Sequence, residues 1–296
     1  MKPARSVGAP RRPVAGSADR GLTARWWVGL IGGLILAAAP ASARSRDTAA
    51  TLSDLPEIAA GTVASVEDGV TLTLTDGRVL RLAGLLAPAA PLTMAKDAAW
   101  PSAAAARRAL ADLTLGRPVT LHAAESAPDR HGRLVGQLVA ADRTWLQPVL
   151  LRQGADRVEL APNAAALADP LLKAETDARR HHRGLWRLPI YAVRTSDALT
   201  ARDTGSFVLV EARVLSIAAT HEATYLDFAE DWHHGFTVRI PRPALQRAPD
   251  FDPAALEGRR VRVRGWLVYE GRPILDLADV AALEPLPGRR KAPAPP

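Results

Sequence analysis

The sequence contains no cysteine in its 296 residues. That excludes disulfides, thiolate metal sites, a cysteine nucleophile and a lipid-bearing cysteine anchor. It leaves the compartment open, because exported proteins also fold without disulfides. Aromatic residues are sparse at 5%, so any stacking surface would have to be built from few side chains. Gly-rich phosphate loops, serine-nucleophile elbows and zinc-protease helix motifs are missing too, which removes the commonest routes to nucleotide and peptide chemistry. Long apolar runs are absent with one exception. Residues 26–39 form a 14-residue apolar stretch behind Arg25, followed by the small-x-small pattern Ala41-Ser42-Ala43. A spanning helix needs about 20 residues, so the stretch reads as a cleaved export signal over residues 1–43. The alternative is an uncleaved membrane anchor formed by residues 26–39. Either way the expectation is an exported protein, periplasmic or secreted, that meets a membrane only through this segment.

A large charge of one sign is missing from the body of the chain as well. The formal net charge is +7, which invites a polyanion partner. However, six of the 38 basic residues and one of the 31 acidic ones lie in 1–43. The remaining 32 and 30 leave a net of +2, so global basicity does not argue for nucleic acid.

What is present is alternation. Residues 62–66, 70–75 and 78–82 alternate apolar and polar side chains, separated by Asp68-Gly69 and Asp76-Gly77. Such dipeptides are strong hairpin signals, and three short strands in a row begin a sandwich or barrel. Ser102 is placed to cap a helix running to Leu115, with Gly116 beyond it. Strands are expected at 119–121 and 134–139, and helices at 145–153 and 167–183, closed by Gly154 and Gly184. A second strand-rich block follows, with candidates at 207–217, 224–228, 236–240, 260–269 and 273–277. Five strands in ~75 residues suggest a small barrel of the oligonucleotide-binding type. The expected layout is signal 1–43, linker 44–59, first module 60–188, linker 189–205, second module 206–284 and a basic, proline-rich tail 285–296. The fold class is mainly β with about three helices in the first module.

Four collinear segments carry a resemblance. Gly61 to Thr71 and Asp76 to Pro88 form the first; His131-Gly132-Arg133-Leu134-Val135, Leu150 to Val158, and Glu175 to Trp186 with its Gly184-Leu185-Trp186 ending complete the set. Together they resemble the staphylococcal nuclease (thermonuclease) family over residues 60–188. The resemblance implies a β-barrel and phosphodiester hydrolysis with Ca²⁺, a glutamate base and two phosphate-clamping arginines. Both arginines are kept, as Arg81 and Arg133, and so is Asp68. The remaining positions depart from the pattern. Val70 stands where the family's Asp-Gly-Asp-Thr turn has its second aspartate. In Gly84-Leu85-Leu86-Ala87-Pro88-Ala89, Leu86 replaces a calcium aspartate and Ala89 the catalytic glutamate. Ca²⁺ needs several oxygen ligands, and loss of a general base alone costs about 10²–10⁴ in rate. No catalytic residue, no metal site and no cofactor is therefore expected.

The leading reading is a binding module for nucleic acid, another phosphate-bearing ligand or a protein partner, with Arg81, Arg133 and Asp68 as its ligand-binding residues. An active phosphodiesterase using relocated carboxylates (Glu67, Asp68 or Asp76) is one alternative, and a structural protein-interaction module is another. The second block is similar to oligonucleotide-binding-fold modules attached to exported thermonuclease-like proteins. There Arg260, Arg262 and Arg264 alternate on one strand face near Trp232 and Trp266, a stacking-plus-charge pattern suited to single strands. Against it, residues 203–284 hold nine basic and thirteen acidic residues, which does not attract polyanions at long range. His233-His234 beside Asp231 does not specify a metal site, since adjacent residues on a strand face opposite ways.

Overall fold

The computed structural model describes residues 52–94, 100–161, 165–231 and 233–287. The export segment, Trp232 and the tail from 288 onward lie outside the described residues. The described residues form one compact unit.

Strands β1 (Glu57–Val66), β2 (Thr71–Leu74) and β3 (Val79–Leu82) form the expected meander. Asp68 makes the first turn by accepting the Val70 N–H at 2.8 Å and the Thr71 hydroxyl at 3.2 Å. Strands β5 (Pro118–His122) and β6 (Leu134–Ala140) complete a closed barrel in the order β1-β2-β3-β6-β5, with β3 and β6 parallel. Leu72, Leu80, Leu121 and Leu138 fill it, with no solvent exposure. Burying each contributes about 1.5–3 kcal/mol. β1 starts at Glu57, several residues earlier than the alternation predicts, because its N-terminal half pairs with β5.

Three helices pack outside the barrel: α1 (Ala103–Thr114), α2 (Leu146–Gln153) and α3 (Ala168–Arg180). α1 buries Ala106 and Leu110, as its period predicts. Its capping differs: Ser102 has φ 67° and its side chain makes no cap hydrogen bond. The Ser102 carbonyl instead accepts from the Ala106 N–H at 2.9 Å. A short two-stranded sheet, β4 (Leu85–Leu86) with β7 (Arg157–Val158), ties the segment after β3 to the segment after α2.

The second block folds as a sheet of seven strands, where sequence spacing suggests five. They are β8 (Phe207–Arg213), β9 (Ser216–Ala219), β10 (Ala223–Asp227), β11 (Thr237–Pro241), β12 (Arg260–Tyr269), β13 (Pro273–Asp276) and β14 (Leu283–Pro285), with a short helix α4 (Arg242–Gln246) after β11. The apolar run 207–217 splits because Val214 donates to Arg259 while Leu215 donates to Asp227, so the chain changes partners at that corner. β12 organises the sheet, pairing with β8 along one edge and with β14 and β13 along the other. Residues 189–205 are pinned rather than extended: Arg194 exchanges backbone hydrogen bonds with Leu209 and Glu211 of β8.

The ends of α2 and α3 cross backbone to backbone at Gly154 (φ +70°) and Gly184 (φ +51°). A Cβ on Gly154 would collide with the Arg183 carbonyl. Gly154→Ala therefore meets both an αL penalty of about 1–2 kcal/mol and this clash. We expect its thermal unfolding midpoint to fall by at least about 2–4 °C, read by circular dichroism; an unchanged midpoint would show that the crossing is not tight.

Candidate functional site

Strand register assembles the retained residues. Arg81 on β3 lies level with Thr71 on one side and Val135 on the other. Arg133, two residues before Val135, shares that face by strand alternation. Asp68 sits at the same end of β2 as Thr71. Both guanidiniums are engaged. Arg133 forks onto Asp129 through Nε at 2.9 Å and Nη2 at 2.7 Å. Partial burial pushes the Asp129 carboxyl up, but the Arg133 guanidinium and the N–H groups of Arg133 and His131 outweigh it and hold it at about 2. Arg81 is held more loosely, 3.7 Å from Glu159.

Of the three positions where the resemblance places metal or base carboxylates, Val70 and Leu86 are buried and Ala89 is exposed. Val70 is 1% exposed and belongs to the main core. Leu86 joins a smaller apolar cluster with Trp186, Tyr191 and Phe207, and Ala89 lies in the wall of a neighbouring cavity. Asp68 spends its carboxylate on its own turn. The acids considered as replacements do not gather: Glu67 accepts from Thr73, and Asp76 is bound to Arg78 at the opposite end of β2. Among the described residues no three His, Cys, Asp or Glu side chains converge. The family's hard cation does not fit this set of donors.

Sequence reasoning missed one acid. Asp156, between α2 and β7, has no solvent exposure, and neither carboxylate oxygen has a hydrogen-bond partner. It lies against the Asp68-Gly69 turn, its Oδ1 2.6 Å from where a Cβ on Gly69 would stand. Burial first, and then the Asp68 charge, push its carboxyl well above the usual range. A group so placed favours its neutral form and is a poor metal ligand.

The arginine face of β12 runs from exposed Arg260 through half-buried Arg262 to buried Arg264. Arg264 is 2% exposed; it donates to Glu175 of α3 at 2.7 Å and to Glu284 at 2.5 Å. Glu175 in turn accepts the Val158 N–H at 2.8 Å. Arg262 donates to Glu211 at 2.5 Å and Arg260 pairs with the same acid at 3.4 Å. Trp266 packs edge-on to Phe207 and donates to Glu159 at 2.9 Å. Alternation correctly puts the three arginines on one face, yet that face meets α3 and local acids, so Arg264 and Trp266 do not form an open surface for single strands. Trp232 lies outside the described residues. His234 binds Asp231 at 2.7 Å in an exposed turn.

A second buried arginine has a different environment. Arg157 of β7 is 7% exposed, and no carboxylate of the described residues lies within ion-pair distance. Its Nη1 donates to the Phe207 carbonyl at 2.7 Å, its guanidinium lies 4.9 Å from the Phe207 ring and 5.1 Å from the Tyr191 ring, and its Nε has no partner. Burial pulls its pKa down to about 10 against the opposing fields of Tyr191, Glu175 and Glu159, so it stays charged at neutral pH.

Residues 79–188 match the family model described as Staphylococcal nuclease homologue. The match starts at β3 and ends after α3. It therefore contains Arg81, Leu86, Ala89 and Arg133, and leaves the second sheet outside. A comparison with curated proteins gives no match.

Two outcomes follow from the buried charges. Arg264→Met removes the cation 2.7 Å from Glu175, leaving it only Arg179 at 3.4 Å, and should cost up to about 3–5 kcal/mol, measurable by chemical denaturation; a change under ~1 kcal/mol would mean the pair is dispensable. Asp156 has a raised folded pKa, so its contribution to stability is full below its unfolded pKa near 3.9 and declines as pH rises toward the folded value. Asp156→Asn should thus match the native chain near pH 4 and exceed it at pH 7, the gap growing by up to about 1.4 kcal/mol per pH unit in between. A pH-independent gap would show that Asp156 stays ionised.

Proposed function

The chain carries a staphylococcal-nuclease-like domain, and from that premise we propose that it is a binding protein on a nuclease scaffold whose hydrolytic centre has been dismantled. One observation carries this reading: Val70 and Leu86, at the positions where the resemblance places calcium aspartates, are packed into apolar clusters. Metal and base together stabilise charge growing at phosphorus, and side chains without lone pairs supply neither. Binding can outlast the chemistry, because guanidinium groups hold phosphate without a metal. Family membership of the domain supports nucleic acid as the general class of ligand. Of the two retained arginines, Arg81 is the better anion contact, since its pairing with Glu159 is long whereas Arg133 is forked onto Asp129. The N-terminal segment supports action outside the cytoplasm.

Asp156 beside Asp68 is the observation that favours a second reading, a phosphodiesterase with a relocated acid. Digestion of plasmid and single-stranded DNA, with Ca²⁺ and with chelator, separates the two. We expect no chelator-sensitive cleavage, and oligonucleotide affinity that falls with salt and drops several-fold in Arg81→Ala. Chelator-sensitive cleavage abolished by Asp156→Asn would instead establish the enzyme.

A further inference from the structure

A cavity of about 230 Å³ opens between the segment after β4 and the start of the second sheet. That is far above the roughly 10–15 Å³ one water requires. Its walls include Trp100, Tyr191, Phe207 and Trp266, and Arg157 lines it from within. Arg194 and Arg202 stand at its edge; Arg194 is neutralised by Asp203 at 3.0 Å, so the lining keeps a positive balance. A buried cation with no ion pair is costly; Arg157 feels Glu175 and Glu159 only through space, and it faces an aromatic-walled cavity. Neither Arg81 nor Arg133 lines it.

We propose that this cavity binds a small aromatic anion, a flat ring bearing a carboxylate or phosphate, with the anionic group on Arg157 and the ring among the aromatic walls. The chemistry follows from the lining. A guanidinium pairs with an oxyanion through charge-assisted hydrogen bonds. Aromatic walls select a planar body over an extended aliphatic one by offset and edge-on packing. The bound anion would supply the direct ion pair that Arg157 lacks. The proposal rests on reading the chain as a binding protein; Leu86 and Ala89 of the vestigial centre border this cavity, but neither retained arginine does. The ring can come from a free aromatic acid or from a mononucleotide, and the two sources share this chemistry.

The test is calorimetric titration of the full chain with benzoate, thymidine 5′-monophosphate and inorganic phosphate, followed in parallel by tryptophan fluorescence. At least one ring-bearing anion is expected to bind tenfold or more tightly than phosphate and to change the emission. Benzoate alone binding points to a free acid, the nucleotide alone to a nucleic-acid fragment, and either supports the site. Arg157→Met should weaken binding at least tenfold, and Arg157→Lys less. Should Arg157→Met fail to fold, Ala192→Trp, at an exposed position on the rim, should block entry while leaving the thermal midpoint near native. The proposal is overturned if neither ring-bearing anion binds at millimolar concentration, or if binding survives both Arg157→Met and Ala192→Trp. DNA cleavage in the assay above would sink the non-catalytic reading and leave this titration to stand or fall alone.

Discussion

The carboxylate of Glu175 sits where the two β systems meet, and much of the molecule is arranged around it. It has no solvent exposure, so its charge must be matched inside the protein. Arg264 of β12 matches it from the second sheet, while the Val158 N–H binds its other oxygen from β7. β7 in turn pairs with β4 and fixes Leu85 and Leu86. A single side chain on α3 thereby connects the second sheet to the segment that, by resemblance, once faced a metal. Such a pair adds less net stability than its Coulomb attraction suggests, because both ions were desolvated. What it does supply is position, since separating the two would leave Glu175 with only Arg179 and Arg264 with only Glu284.

The barrel was largely legible because its signals are local. Alternation, two Asp-Gly turns and glycines after helical periods specify elements through backbone sterics that do not depend on the rest of the chain. Long-range features were not. The split of 207–217 depends on Arg259 and Asp227 competing for consecutive N–H groups, and β14 exists because β12 has an open edge to offer it. Ser102 had the right residue type for a cap, but its backbone takes a left-handed conformation that turns the side chain away from that role.

The site was legible by residue and not by environment. Spacing placed Arg260, Arg262 and Arg264 on one face, but a sequence does not say whether that face meets water or α3. Asp156 carries no pattern at all; its importance arises from contact with a glycine 87 positions earlier, visible only once the chain is folded. Arg157 looked like an ordinary residue in a helix-to-strand segment. Its distinction is that Arg264, the other buried arginine among the described residues, is ion-paired to acids and Arg157 is not.

Leu86 carries a consequence for how such a chain can change over time. In its present setting the side chain belongs to an apolar cluster with Trp186 and Phe207 that joins the second sheet to the first barrel. An aspartate returning to position 86 would enter an apolar enclosure formed by a neighbouring module, with no cation poised for it there except Arg157. The attachment of that module would thus act as a ratchet on the proposed binding protein: position 86 is held in an interface, and a carboxylate there would require loosening it.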